Sequence, residues 1–159
     1  MSAGRKNSEN RTMLPCLGRG QMKKIIAVLT GAFFVASLGA TIAAQAKKSV
    51  KEGVYTDAQA KRGEALYKDQ CAACHGDDLA GSGPMPPLAG NDFIKNWKNL
   101  GDLFDKIHMS MPASSPGSLT EAQTADIISY ILSVGKYPAG TTELEPKMEP
   151  LMQITVEPK

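Results

Sequence analysis

Apolar residues along this chain form one long block near the start and several short runs of helical spacing beyond it. Residues 25–44 are predominantly apolar, with Lys23-Lys24 before them and Ala44-Gln45-Ala46 after them. A basic lead, an apolar middle and small residues at the end are what signal peptidase reads, so export to the periplasm with cleavage after Ala46 is expected. Residues 1–21 are basic, polar and unpatterned, and Met22 would be the more ordinary start for such a signal. The other reading keeps residues 25–44 as a membrane anchor, because about twenty apolar residues just span a bilayer. Gly31, Ser37, Gly39 and Thr41 weaken that reading.

Beyond Ala46 the periodicity predicts short helices separated by long irregular stretches. Thr56 caps a helix over Asp57–Gln70 whose apolar positions Ala60, Leu66 and Tyr67 fall toward one side. Gly63 inside it costs about 1 kcal/mol relative to Ala, so it is either a tolerated surface glycine or a place where something comes close. The run GDDLAGSGPMPPLAGN from Gly76 to Asn91 is too rich in Gly and Pro for helix or paired strand. A loop of that length in a compact domain is usually functional. A short helix is expected from Asp92 to Asn99, and another from Gly101 to Met109 with Leu100, Leu103, Phe104 and Ile107 on one face. Pro112 ends it, and the segment to Ser118 is irregular. Thr120 with Gln123 forms a capping box opening a last helix that buries Ala125, Ile128, Ile131 and Leu132 and stops at Gly135. With Pro138, Gly140, Pro146 and Pro150, the tail from Tyr137 to Lys159 reads as an extended strap and not as a further helix. No strand alternation or internal repeat stands out. The chain thus divides into a signal segment at 1–46, an all-α domain at 47–137 and a strap at 138–159.

Charge sharpens this division. The formal net charge of the 159 residues is +2, yet residues 1–46 hold six Lys/Arg and one acid, leaving twelve basic and fifteen acidic residues downstream. The exported part is therefore near −3, by twelve minus fifteen, and lacks the basic face that nucleic-acid binding needs. A domain of about a hundred residues with few large side chains buries too little apolar surface to be comfortably stable alone. A buried cofactor would supply the missing core.

Candidate chemistry rests on two of the three cysteines. Cys16 precedes the apolar block, whereas a lipid-modified cysteine would follow it. Cys71 and Cys74, three positions apart, close almost no loop and make a poor structural disulfide. In Cys71-Ala72-Ala73-Cys74-His75 two thiols can reach the two vinyl groups of a haem while the adjacent histidine swings under the iron. Zinc would need a second ligand pair, and downstream there is only His108 and no further cysteine. A thiol oxidoreductase would need an α/β setting that this pattern does not show.

On these residues the chain resembles the class I (mono-haem) cytochrome c family over roughly residues 55–137. The resemblance is carried by Gly63-x-x-x-Tyr67-x-x-x-Cys71, the attachment motif, Met111-Pro112 and Tyr130. It implies a cytochrome c-like fold, short helices and long loops around one covalent haem c, with Gly63 at a crossing of the first and last helices beside Tyr67 and Tyr130. The runs PPLAGNDF and MPASSPGSLT are similar to small cytochromes found near, or fused to, quinoprotein dehydrogenases. By the same resemblance Trp97 would lie near a haem propionate, though a plain core tryptophan fits it equally well.

With His75 as proximal ligand, Met85, His108, Met109 and Met111 compete for the sixth position. Met111 is favoured, because the residue before a proline is pushed into an extended conformation that frees its thioether, and Pro112 stiffens the chain behind it. Met85 also precedes a proline but lies only ten residues past His75. Histidine and methionine together close both axial positions, so the expected function is electron transfer through Fe(III)/Fe(II) between an exported dehydrogenase and a terminal oxidase or other cytochrome, with no catalytic residue. The alternative is a five-coordinate haem protein acting as peroxidase or gas sensor; no distal histidine-arginine pair supports it, since Arg62 is the single arginine after Ala46. A third reading makes the domain a fixed relay within a dehydrogenase complex. The mild negative charge calls for a partner face that is basic or apolar.

Overall fold

The computed structural model describes residues 47–159. The signal segment, its cleavage point, the Met22 start and Cys16 lie outside the described residues. Helices dominate: α1 (Asp57–Gln70), α2 (Ala72–His75), α3 (Asn91–Ile94), α4 (Leu100–Ser110), α5 (Glu121–Val134) and α6 (Met148–Met152), with a 3-10 turn at Val50–Glu52. Two strands of two residues, β1 (Lys48–Ser49) and β2 (Ile154–Thr155), pair in parallel and join the two ends of the domain. No helix among the described residues is long and apolar enough to cross a membrane.

The helix boundaries follow from local chemistry. The Thr56 hydroxyl accepts the Gln59 amide at 3.1 Å and starts α1, and Asn99 does the same for α4 through the Asp102 amide at 2.9 Å. Thr120 and Gln123 exchange the two bonds of a capping box at the head of α5. Helix α4 ends at Ser110 because Pro112 offers no amide to continue it, and Met111 is extended at φ −121°, ψ 151°. Helix α3 stops at Ile94, short of the expected Asn99; beyond it the chain tightens into three-residue turns, with Asn96 donating to the Phe93 carbonyl and Trp97 to the Ile94 carbonyl, before Asn99 extends to cap α4.

Helices α1 and α5 cross at Gly63. A β-carbon there would overlap the Asp126 carbonyl and press within 3.0 Å of Tyr130 Cβ, so only glycine lets the backbones meet. Tyr67 and Tyr130 pack beside the crossing with ring centroids 5.3 Å apart. Apolar faces of α4 and α5 complete the core: Leu100, Leu103, Phe104 and Ile107 from one, Ala125, Ile128, Ile131 and Leu132 from the other, are all buried.

The tail differs from the extended strap expected of it. It forms α6, packs that helix on α4 and returns as β2. Leu144, Leu151, Ile154 and Val156 are buried, each worth about 2 kcal/mol relative to exposure. The Gln59 side chain fastens the tail like a strand partner, donating to the Leu144 carbonyl at 3.0 Å and accepting from its amide at 2.7 Å. Tyr55 donates to the Tyr137 carbonyl and Tyr137 to the Glu157 carbonyl, each at 2.7 Å. Proline and glycine set where the tail bends; its four apolar anchors, spaced without helical or strand period, decide that it belongs to the core.

Candidate functional site

A cavity of about 640 Å³ opens between α2, the loop that follows it, the end of α4 and α5. The lining is mostly apolar, and it brings together Cys71, Cys74, His75 and Met111. Cys71 terminates α1 by donating its amide to the Tyr67 carbonyl at 2.8 Å. Its own conformation, φ −126° and ψ −35°, breaks the helix so that α2 starts in a new direction. One turn later the amides of Cys74 and His75 return to the Cys71 carbonyl at 3.1 and 3.0 Å, gathering both thiols and the imidazole onto a single turn. Burial, with Cys74 close by, pushes the Cys71 thiol up to about 11. The buried Tyr67 hydroxyl, itself pushed up to about 12 chiefly by desolvation, donates to the Gly76 carbonyl at 2.7 Å and pins the end of that turn.

His75 is buried, and its Nδ1 lies 3.0 Å from the Pro86 carbonyl oxygen. A carbonyl can only accept, so Nδ1 carries the proton and Nε2 keeps the lone pair a metal requires. The loop returns Pro86 to this position through the Gly81 amide on the His75 carbonyl and the Leu88 amide on the Leu79 carbonyl, both 2.9 Å. Gly81 is left-handed at φ 84°, and a β-carbon on it would collide with the Met85 carbonyl, so the Gly-rich sequence is what lets the loop double back behind the imidazole.

The other candidate ligands separate by position. Met85 and Met111 both reach the lining, whereas His108 and Met109 do not. Met109 is 62% exposed, and His108 stacks on Phe104 with centroids 5.6 Å apart. Trp97 meets Phe93 edge to face at 5.8 Å, and its buried Nε1 has no hydrogen-bond partner among the described residues. Asn96 and Lys106 lie along the same wall. An apolar, flat macrocycle with acceptor groups at one edge fits this donor set: two thiols, an oriented imidazole and a thioether in the lining, with a buried, unsatisfied indole N–H among them.

A shell of helices and loops around such a cavity, with Cys-x-x-Cys-His on its wall, defines a cytochrome c-like fold, and residues 58–131 form a c-type cytochrome domain suited to covalent haem c. Residues 58–131 match the family model described as cytochrome c oxidase, cbb3-type, subunit III. The chain is 37% identical over 81 residues to the thiosulfate dehydrogenase of Stutzerimonas stutzeri strain A1501, covering 45% of this chain and 26% of that protein. It is 30% identical over 96 residues to the cbb3-type cytochrome c oxidase subunit CcoP of Rubrivivax gelatinosus, covering 55% of this chain and 30% of that one. The chain thus spans under a third of the length of these curated relatives. Among solved structures, the sulfane dehydrogenase SoxCD of Paracoccus pantotrophus aligns at 28% identity and a TM-score of 0.48, covering 61% of this chain and 52% of that chain.

Sequence reasoning missed the Pro86 carbonyl and the Tyr67–Gly76 bond. The first left only an indirect signal, a Pro-Pro pair that cannot join a helix or a strand ladder and so keeps its carbonyls available to other donors.

Proposed function

We propose that Cys71 and Cys74 would anchor the haem through thioethers, that His75 and Met111 would hold its iron, and that the domain passes single electrons from an exported dehydrogenase to a downstream acceptor. The observation that carries this reading is the His75–Pro86 hydrogen bond inside the cavity that Met111 also lines. Bound haem c supplies a one-electron Fe(III)/Fe(II) couple. The chain's own residues decide how it is used. The Pro86 carbonyl fixes the imidazole so that Nε2 points away from that carbonyl, and Met85, the residue before Pro86, belongs to the segment on the Nδ1 side. Met111, extended ahead of Pro112, approaches from the end of α4. Leu88, Ile107, Ile127 and Ile131 exclude water, which disfavours the more highly charged ferric state.

One relative is named a thiosulfate dehydrogenase and another a subunit of a cbb3-type oxidase, which supports a donor and an acceptor of these two classes. In this reading residues 1–46 serve export and the carrier works in the periplasm, with residues 25–44 as an anchor if cleavage after Ala46 does not occur. The test is exposure of the reduced protein to carbon monoxide. No spectral change in the unmodified protein, with rapid binding in Met111→Ala, is expected of a closed carrier. Ready binding by the unmodified protein would overturn the reading in favour of a five-coordinate sensor or peroxidase.

A further inference from the structure

Charge is missing from both loops that frame the cavity. Residues 79–90 and 109–120, twelve positions each, contain no Asp, Glu, Lys or Arg, although residues 47–159 hold twelve basic and fifteen acidic side chains. The two stretches border one space, since Met85, Pro86 and Leu88 of the first and Met111, Pro112 and Ala113 of the second line the same cavity. Their outward positions are small or apolar: Ser82-Gly83-Pro84 and the run from Ala113 to Ser118 are exposed, as are Met85 and Met109. The charges on the cavity lining, Asp69, Asp92 and Lys106, come from the helices beside these two stretches and not from the stretches themselves.

A docking face that relies on steering needs charge near the point of contact, and its encounter rate then depends steeply on salt. A rim without charge gives up steering but has no ion to desolvate when it meets an apolar surface, and a small interface of that kind releases quickly. We propose that the rim formed by residues 79–90 and 109–120 is where the redox partner docks, and that the partner presents an uncharged, apolar face there and not a basic one. This rests on the electron-transfer reading above and decides the partner chemistry that a net charge near −3 leaves open.

A second copy of the chain carries the same uncharged rim and serves as the probe. Electron self-exchange is measured from NMR line broadening in mixtures of the oxidised and reduced holoprotein. The unmodified protein should exchange with less than about a threefold change between ~10 mM and ~500 mM salt. The exposed double substitution Ser82→Lys/Ser114→Lys brings the net charge nearer zero, so overall charge alone predicts faster exchange. Contact through the rim predicts the reverse: at ~10 mM salt like charges on both copies should slow exchange about threefold, with recovery at ~500 mM. Thr142→Lys, outside the cavity lining, is the control and should not slow it. Exchange in the double variant as fast as in the unmodified protein would overturn the proposal. So would a stable dimer in sedimentation, which would make the face an interface between copies. The absorption spectrum of each sample separates the two levels of failure: a high-spin spectrum overturns the electron-transfer reading itself, whereas an unchanged low-spin spectrum with exchange indifferent to the rim overturns only the docking site.

Discussion

Where α1 meets α5 the chain packs regular helices so closely that Gly63 can carry no side chain, whereas around the cavity it runs for twelve residues at a time without a charge and with little regular structure. The first region is held by side chains meeting side chains, and its order comes from periodicity, caps and the Tyr67–Tyr130 contact. The second has Gly, Pro and Ser where a core would need large apolar groups. Its few internal anchors are backbone bonds such as Leu88 to Leu79 and Ser115 to Pro112. The difference teaches that the domain has two cores: one made by the chain, and one whose substance is the cofactor and whose wall the chain only shapes.

Removing residues 138–159 should have the largest effect. The truncated chain loses Leu144, Leu151, Ile154 and Val156 from the self-made core, about 2 kcal/mol each, against a net stability on the order of 5–15 kcal/mol. Calorimetry of the haem-loaded protein should show no cooperative unfolding transition. A normal transition would mean that the tail is a strap after all. Next in size, Gly63→Ala should cost about 3 kcal/mol in denaturant unfolding, since the backbones must separate to admit a methyl group. Ser115→Ala, in the loop, should stay within about 0.5 kcal/mol; equal losses at both positions would erase the contrast between the regions.

The smallest effect concerns Arg62, whose guanidinium bridges Asp126 of α5 and Glu143 of the tail at 3.0 and 2.9 Å. The hydrogen bond from Arg62 holds the Glu143 carboxyl below its usual range. A lowered folded value contributes stability that is present above the unfolded carboxylate value and lost as pH falls through the folded one. Thermal midpoints of the unmodified protein and Glu143→Gln should therefore differ slightly at about pH 7 and converge at about pH 3. A difference that persists in acid would assign the tail's attachment at this point to packing alone.

Sequence reading served the two regions unequally, for physical reasons. Helix α1 was legible to its ends, because Thr56 caps it and Cys71 belongs to the next motif; the capping box placed α5 equally well. Gly63 was open to a bland reading until the family resemblance gave it a crossing partner. The tail was misjudged because prolines and glycines mark bends, and nothing local distinguishes a bend on the surface from one that lowers Leu144 and Leu151 into the core. Around the cavity, the side chains that the attachment motif and Met111-Pro112 single out all reach the lining. The Pro86 carbonyl was not legible, since a backbone atom acquires its role only from where the folded loop returns it.

Beside His75, one thioether would hold the haem iron, that of Met111 and not that of Met85. The most direct measurement is the oxidised absorption spectrum of the holoprotein beside Met111→Ala and Met85→Ala. Sulfur ligation of ferric haem gives a weak band at the red end of the oxidised spectrum. It should be present in the unmodified protein, survive in Met85→Ala and vanish in Met111→Ala. Its survival in Met111→Ala, or its loss in Met85→Ala, would contradict the assignment and place the second ligand on the loop behind the imidazole.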